Sequence, residues 1–196
     1  MTEEKKNVTT ALMYKGLFYR LKNLVLTPQK EWHKIHQEDK SVNEVLTEFA
    51  LPLIGICAIA TFLNIVFNRL EVNFELALKH AVVAFSALFG SLYLSWFVFR
   101  FLLSKFKIAG NSNFAFRVVA YSSGLFYLIT IVTNLLPELF FLQLASVYSL
   151  YIIWYSISDN TVGLQERQFT ITLIVAVLIH IIPFFVKNFL LKLIAF

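Results

Sequence analysis

The sequence is short of the residues that build most soluble domains. It holds one cysteine, Cys57, with four prolines and six glycines in 196 residues. One cysteine excludes an intramolecular disulfide and any multi-cysteine metal centre. Scarce glycine and proline exclude a loop-rich or low-complexity chain. Charged side chains make up 15%, against roughly 25% in a typical soluble domain. That deficit, with a mean hydropathy of +0.70, excludes a disordered chain and an ordinary soluble one. Enzyme signatures are also missing. There is no Walker loop, no dinucleotide-binding glycine pattern, no Gly-x-Ser-x-Gly elbow and no His-Glu-x-x-His. Cys57 has no obvious base beside it, so it does not read as a nucleophile.

What is present is apolar sequence, 58% by the broad count and including 21 Phe. A spanning helix needs about 20 mostly apolar residues. Five segments qualify: Val45–Phe67, Phe74–Leu103, Phe114–Leu136, Glu138–Ile157 and Phe169–Leu190. The second exceeds what a bilayer requires and is expected to tilt or protrude. The third and fourth meet in a tight hairpin around Pro137. The predicted fold is an all-α membrane protein, a bundle of five transmembrane helices (45–196) behind an N-terminal amphipathic arm (1–44).

The arm carries 8 of the 17 basic and 6 of the 12 acidic residues, and its start does not read as a secretory leader. Tyr14, Leu17, Phe18, Leu21, Leu24 and Val25 share one helical face, flanked by Lys15, Lys22 and Arg20. This pattern suits a helix lying in the headgroup layer with basic side chains snorkelling outward. Thr27-Pro28 reads as N-cap and first position of a second helix, which presents an exposed Trp32 with Ile35. Leu17, Phe18, Leu21, Pro28, Trp32 and Ile35 are therefore the candidate partner or membrane interface. Ser41-x-x-Glu44 is a capping box that opens the first span.

Lys and Arg counted between spans total 13 on the N-terminal side of the membrane and 4 on the other, counting Arg69 and Lys107. The positive-inside rule places the N-terminus in the cytoplasm and the C-terminus opposite. Trp96 and Trp154 then fall toward the cytoplasmic ends of their spans, as an aromatic belt requires. The net charge of +5 follows topology and anionic lipid, so nucleic acid is not an expected partner.

Ionisable residues inside a span are the usual functional flag. Here Glu48, Lys79, Arg100, Arg117 and Glu138 lie near span ends, and only His180 sits mid-span, three residues before Pro183. His180 reads either as a functional group or as a neutral imidazole bonding a carbonyl that the proline frees. Two polar stripes repeat the spacing i, i+4, i+7, i+11: Cys57, Thr61, Asn64, Asn68 and Ser123, Tyr127, Thr130, Asn134. They are either interhelical glue or the wall of a cavity. The candidate cavity comprises Asn64, Asn68, Tyr127, Thr130, Asn134 and His180, with His80 and Glu138 at its rim. Ala87, Ser91 and Ser95 mark close helix packing, within the bundle or between copies. His33 and His36 lack a third ligand at metal spacing and read as surface residues.

Several stretches together resemble a known family. Leu24-Val-Leu-Thr-Pro28 with Trp32 and Ile35 is similar to the entry of bacterial YIP-family membrane proteins, relatives of the Ypt/Rab-interacting proteins. So are Ser41-Val-x-Glu-Val45 leading into Leu51-Pro52, Ala120-Tyr-Ser-Ser123, and Val147-Tyr-Ser-Leu-Tyr-Ile-Ile-Trp-Tyr155. The pattern departs at Ser156-Ile-Ser-Asp-Asn160, where a Gly-containing stretch ending in an apolar-Pro turn is expected. The resemblance implies five spans, a cytoplasmic N-terminus and a non-enzymatic scaffold or adaptor without cofactor, metal or catalytic residues. Its partners would be membrane lipid and a second protein held by the arm. High Phe, Lys and Asn content with little Gly fits a bacterial inner membrane. The alternative is a transport or permeation component for a small neutral solute or a lipid, using the polar cavity.

Overall fold

The computed structural model describes residues 2–68, 73–105, 112–158 and 167–193, with side chains from Met13 onward. Arg69, Lys107 and the end of the departing stretch, Asp159-Asn160, lie outside the described residues. The described residues are almost entirely helical. Helix α1 runs over Thr2–Leu26 and α2 over Pro28–Glu38. Five further helices are long and apolar enough to cross a membrane: Val42–Phe67, Phe74–Lys105, Ser112–Leu135, Pro137–Ile157 and Gln168–Leu193. We call them the first to fifth spans. The protein is an all-α integral membrane bundle.

Local sequence explains the joints. Thr27 precedes Pro28 at the helix start, but its hydroxyl donates back to the Asn23 carbonyl instead of capping α2. Asp39 ends α2 in the left-handed region, φ 43°. The capping box is present: the Ser41 hydroxyl accepts from the Glu44 amide, and the Glu44 carboxylate accepts from the Ser41 amide. A π turn at Leu46–Ala50 directly precedes Pro52. Proline lacks a backbone donor and its ring crowds the carbonyl four residues back, so the wider turn accommodates it. The third span is interrupted at Ser123, between helices Ser112–Ser122 and Gly124–Leu135.

The fourth span departs most from a regular α-helix. Pro137–Tyr148 is 3-10 helix, kinked at Leu139, and only Ser149–Ile157 is α-helical. The kink divides the 3-10 stretch into two pieces, and the longer still exceeds the three or four residues usual for this conformation.

The third span is the axis of the bundle. Buried residues fill 72% of its most apolar stretch, against 28–44% in the other four. The first span packs on the second and third, and the second on the fifth. Ser95 in the second span donates its hydroxyl to the Leu178 carbonyl of the fifth, 3.2 Å away. Ala87, Ser91 and Ser95 are all buried within the chain, so this small-residue row packs inside the bundle.

Candidate functional site

At one end of the bundle, the arm is built into the fold. Leu17, Leu21 and Leu24 of α1 and Pro28, Trp32 and Ile35 of α2 are buried. Trp32 is 1% exposed, which corrects its expected exposure. It lies tilted against His36 at 5.6 Å and meets Tyr121 of the third span edge-on at 6.1 Å. A large aromatic has most to gain from such a seat, because its apolar area is the largest available. Leu21 and Phe49 approach the third span at Gly124, where an added Cβ would lie 2.9 Å from Phe49 and 3.0 Å from Leu21. Glycine is required there by this close approach.

Charged groups latch the seat. Arg20 donates to Glu31 and Glu38, and Asn23 donates to the second Glu31 oxygen at 3.0 Å. Glu31 is 3% exposed. Burial pulls the Arg20 guanidinium down, yet the hydrogen bond to Glu38 and the neighbouring Tyr121, Glu38 and Glu31 leave it raised above its ordinary value. Arg20 also lies over the Tyr121 ring at 5.6 Å, a cation–π contact. Arg117 was expected to snorkel at a span end. It is instead 5% exposed, and donates to the Asp39 carboxylate and the Lys40 carbonyl. The left-handed turn at Asp39 directs that carboxylate. Lys40 pairs with Glu48 of the first span. The fourth span joins through the Tyr148 hydroxyl, which donates to the Val25 carbonyl, and through His36 Nε2, which donates to the Ser156 carbonyl. A cavity of about 420 Å³ remains between arm and bundle, and Arg20, Lys40, Glu48 and Tyr121 line it.

Most of the face assigned to lipid headgroups thus meets protein, through Leu17, Leu21 and Leu24, while Tyr14 and Phe18 stay exposed, a second correction. Of the candidate interface residues, only Phe18 is exposed; Leu17, Leu21, Pro28, Trp32 and Ile35 belong to the core. Apolar periodicity shows which side of a helix leaves water, but not whether lipid or protein receives it. The outward face of α1 instead carries Tyr14, Phe18, Tyr19 and Leu26 with Lys15 and Lys22, all exposed.

At the other end, a groove of about 640 Å³ opens among the second to fifth spans. Thr130, Asn134 and His180 line it together. The remaining stripe residues lie elsewhere. Asn64 donates to the Asn134 carbonyl at 2.6 Å and ties the first span to the third. Asn68 is exposed at the end of the first span. Tyr127 is buried, and its carbonyl accepts from Cys57 Sγ at 3.4 Å. His80 and Glu138 are not among the lining residues. His180 Nδ1 donates to the Ala176 carbonyl of its own helix at 2.9 Å, not to a carbonyl beside Pro183.

The fourth span contributes Pro137, Phe140, Gln143 and Ser146 to the groove. They recur every third residue. Side chains three apart eclipse one another in a 3-10 helix, so beyond the kink at Leu139 its winding brings Phe140, Gln143 and Ser146 onto one wall, which Pro137 joins from before the kink. In an α-helix, at 100° per residue, Phe140 and Ser146 would point about 120° apart. A reading at helical spacing therefore passes over Gln143 and Ser146; the period of three is the signal that finds them. Lys187, seven residues beyond His180 on the fifth span, was also passed over as a span-end charge.

A family model described as the Yip1 domain matches residues 22–187. No curated protein and no solved structure matches the chain.

Proposed function

The chain belongs to the Yip1 domain family, and from that premise we propose that it is a non-enzymatic scaffold or adaptor of the YIP type. It organises the membrane or holds a partner protein, from a bacterial inner membrane, with its N-terminus in the cytoplasm and its C-terminus opposite. The observation that supports this reading best is the docked arm. Because α1 is seated by the buried Leu17, Leu21 and Leu24 and tied to α2 by Arg20, its outward face is held in a fixed place. That face combines Tyr14, Phe18, Tyr19 and Leu26 with two lysines. Aromatic anchors beside cations suit a headgroup layer or a protein surface.

The test is a variant with Tyr14, Phe18, Tyr19 and Leu26 all changed to Ser, purified beside the parent chain under gentle extraction. The variant is expected to unfold at the same temperature and to lose the protein recovered with the parent chain. Unchanged recovery at unchanged stability would remove the arm as the interface.

A further inference from the structure

The groove opposite the arm has a chemical bias that its residue names do not reveal. Its side-chain donors are largely spent on backbone carbonyls of their own helices. Thr130 donates to Phe126 at 2.8 Å, Thr133 to Ile129 at 2.9 Å, and Asn134 to Thr130 at 2.8 Å. Ser146 donates to Gln143 at 2.6 Å, and His180 Nδ1 to Ala176. A carbonyl only accepts, so Nδ1 carries a proton, and in the neutral ring Nε2 is then a lone-pair acceptor. Nε2 is buried and has no partner. A hydroxyl oxygen that donates once still accepts. At His180 the groove therefore offers an acceptor and asks its occupant for a donor.

Its charge is equally one-sided. Lys187 lines it, and no acidic side chain does. On the fifth span, His180, Pro183, Phe184 and Lys187 fall on one face. Seven residues separate the histidine from the lysine, about 10 Å along the helix axis. The lysine, near the end of the span, can therefore meet an anionic group, while the histidine meets a group lying deeper in the span. The rest of the wall is apolar, with Phe126, Phe140 and Phe184. Phe140 and Phe184 are strongly exposed and continue the surface that faces lipid. The α-helical half of the fourth span packs on the fifth, while its 3-10 half packs chiefly on the third. The two spans consequently diverge on this side, and the groove lies between them within membrane-spanning segments.

We propose that the groove binds a single-chain phosphate lipid bearing a free hydroxyl next to its phosphate, a lysophospholipid. Its phosphate lies at Lys187. Its hydroxyl, a few bonds deeper, donates to His180 Nε2. Its one acyl chain lies along Phe126, Phe140 and Phe184. A soluble glycerol phosphate shares the polar part but lacks the chain that this wall receives.

The test uses the purified full chain in a maltoside detergent, with lysophosphatidic acid as probe. An alkyl phosphate of equal chain length, which lacks the hydroxyl, is the comparison. The parent chain is expected to bind lysophosphatidic acid about 5- to 10-fold more tightly, the worth of one hydrogen bond. His180→Phe is expected to erase that preference while keeping alkyl phosphate binding, which also shows that the variant is folded. Lys187→Gln, at an exposed position, is expected to weaken both lipids. Equal binding of the two lipids by the parent chain would overturn the hydroxyl assignment, and so would a preference that survives His180→Phe. Displacement of the lipid by glycerol 3-phosphate at comparable concentration would identify a soluble ligand instead. Absence of saturable binding would mean that the groove holds only water.

Discussion

The two ends of this bundle treat their polar groups in opposite ways. At the arm end, polar groups find one another across the chain: Arg20 with Glu31 and Glu38, Arg117 with Asp39, Lys40 with Glu48. The Arg20 pairs fasten α1 to α2 within the arm, and Arg117 with Asp39 and Lys40 with Glu48 fasten the arm to the spans. At the groove end, hydroxyls and amides mostly turn back on the preceding turn of their own helix, as Thr130, Thr133 and Ser146 do. Those bonds satisfy the side chain and fasten nothing. Asn64, bonded to the Asn134 carbonyl, is the exception. The comparison teaches that polar content alone does not predict rigidity. What matters is whether the partner lies on another element.

Substitutions test this contrast by thermal unfolding in detergent. The largest effect is expected from Trp32→Ala, which empties the centre of the arm's seat and costs about 3–5 kcal/mol. Next comes Arg20→Met. It leaves Glu31 buried without its closest cation, and removal of one partner from a buried pair costs about 3 kcal/mol. Gly124→Val drives side-chain atoms into Phe49 and Leu21, and overpacking of that kind costs about 1–3 kcal/mol. At the other end, Asn64→Leu removes the bond between the first and third spans and is expected to cost only about 0.6 kcal/mol, the average for such bonds in membranes. If Asn64→Leu proves as damaging as Arg20→Met, the contrast between the ends fails.

Much of the architecture was legible because bilayers impose it. Twenty apolar residues announce a span whatever their packing, and the five ranges agree with the helices to within a few residues. Ser41 with Glu44, and Pro28 at a helix start, were legible for the same reason: local hydrogen-bonding rules decide them. The arm's docking was not. Leu17, Leu21 and Trp32 would look the same in sequence whether headgroups or a bundle received them. Arg117 looked like a snorkelling charge because its partner, Asp39, lies 78 residues away. In the groove, Thr130, Asn134 and His180 stood out as polar residues in apolar spans. Gln143 and Ser146 did not, because a helical period places them wrongly on a segment wound at three residues per turn.

That winding also governs reach. A 3-10 helix rises about 2.0 Å per residue and an α-helix about 1.5 Å. The fourth span is the shortest, with 21 residues, and would cover about 32 Å as a continuous α-helix. With Pro137–Tyr148 as 3-10 helix, it covers about 37 Å, close to its 24-residue neighbour in the third span. Rewinding that segment would shorten the backbone path by about 6 Å and turn Ser146 away from Phe140. Bilayer thickness thus becomes a variable to which the groove can answer, and measuring lipid retention in membranes of graded acyl length would read out the coupling.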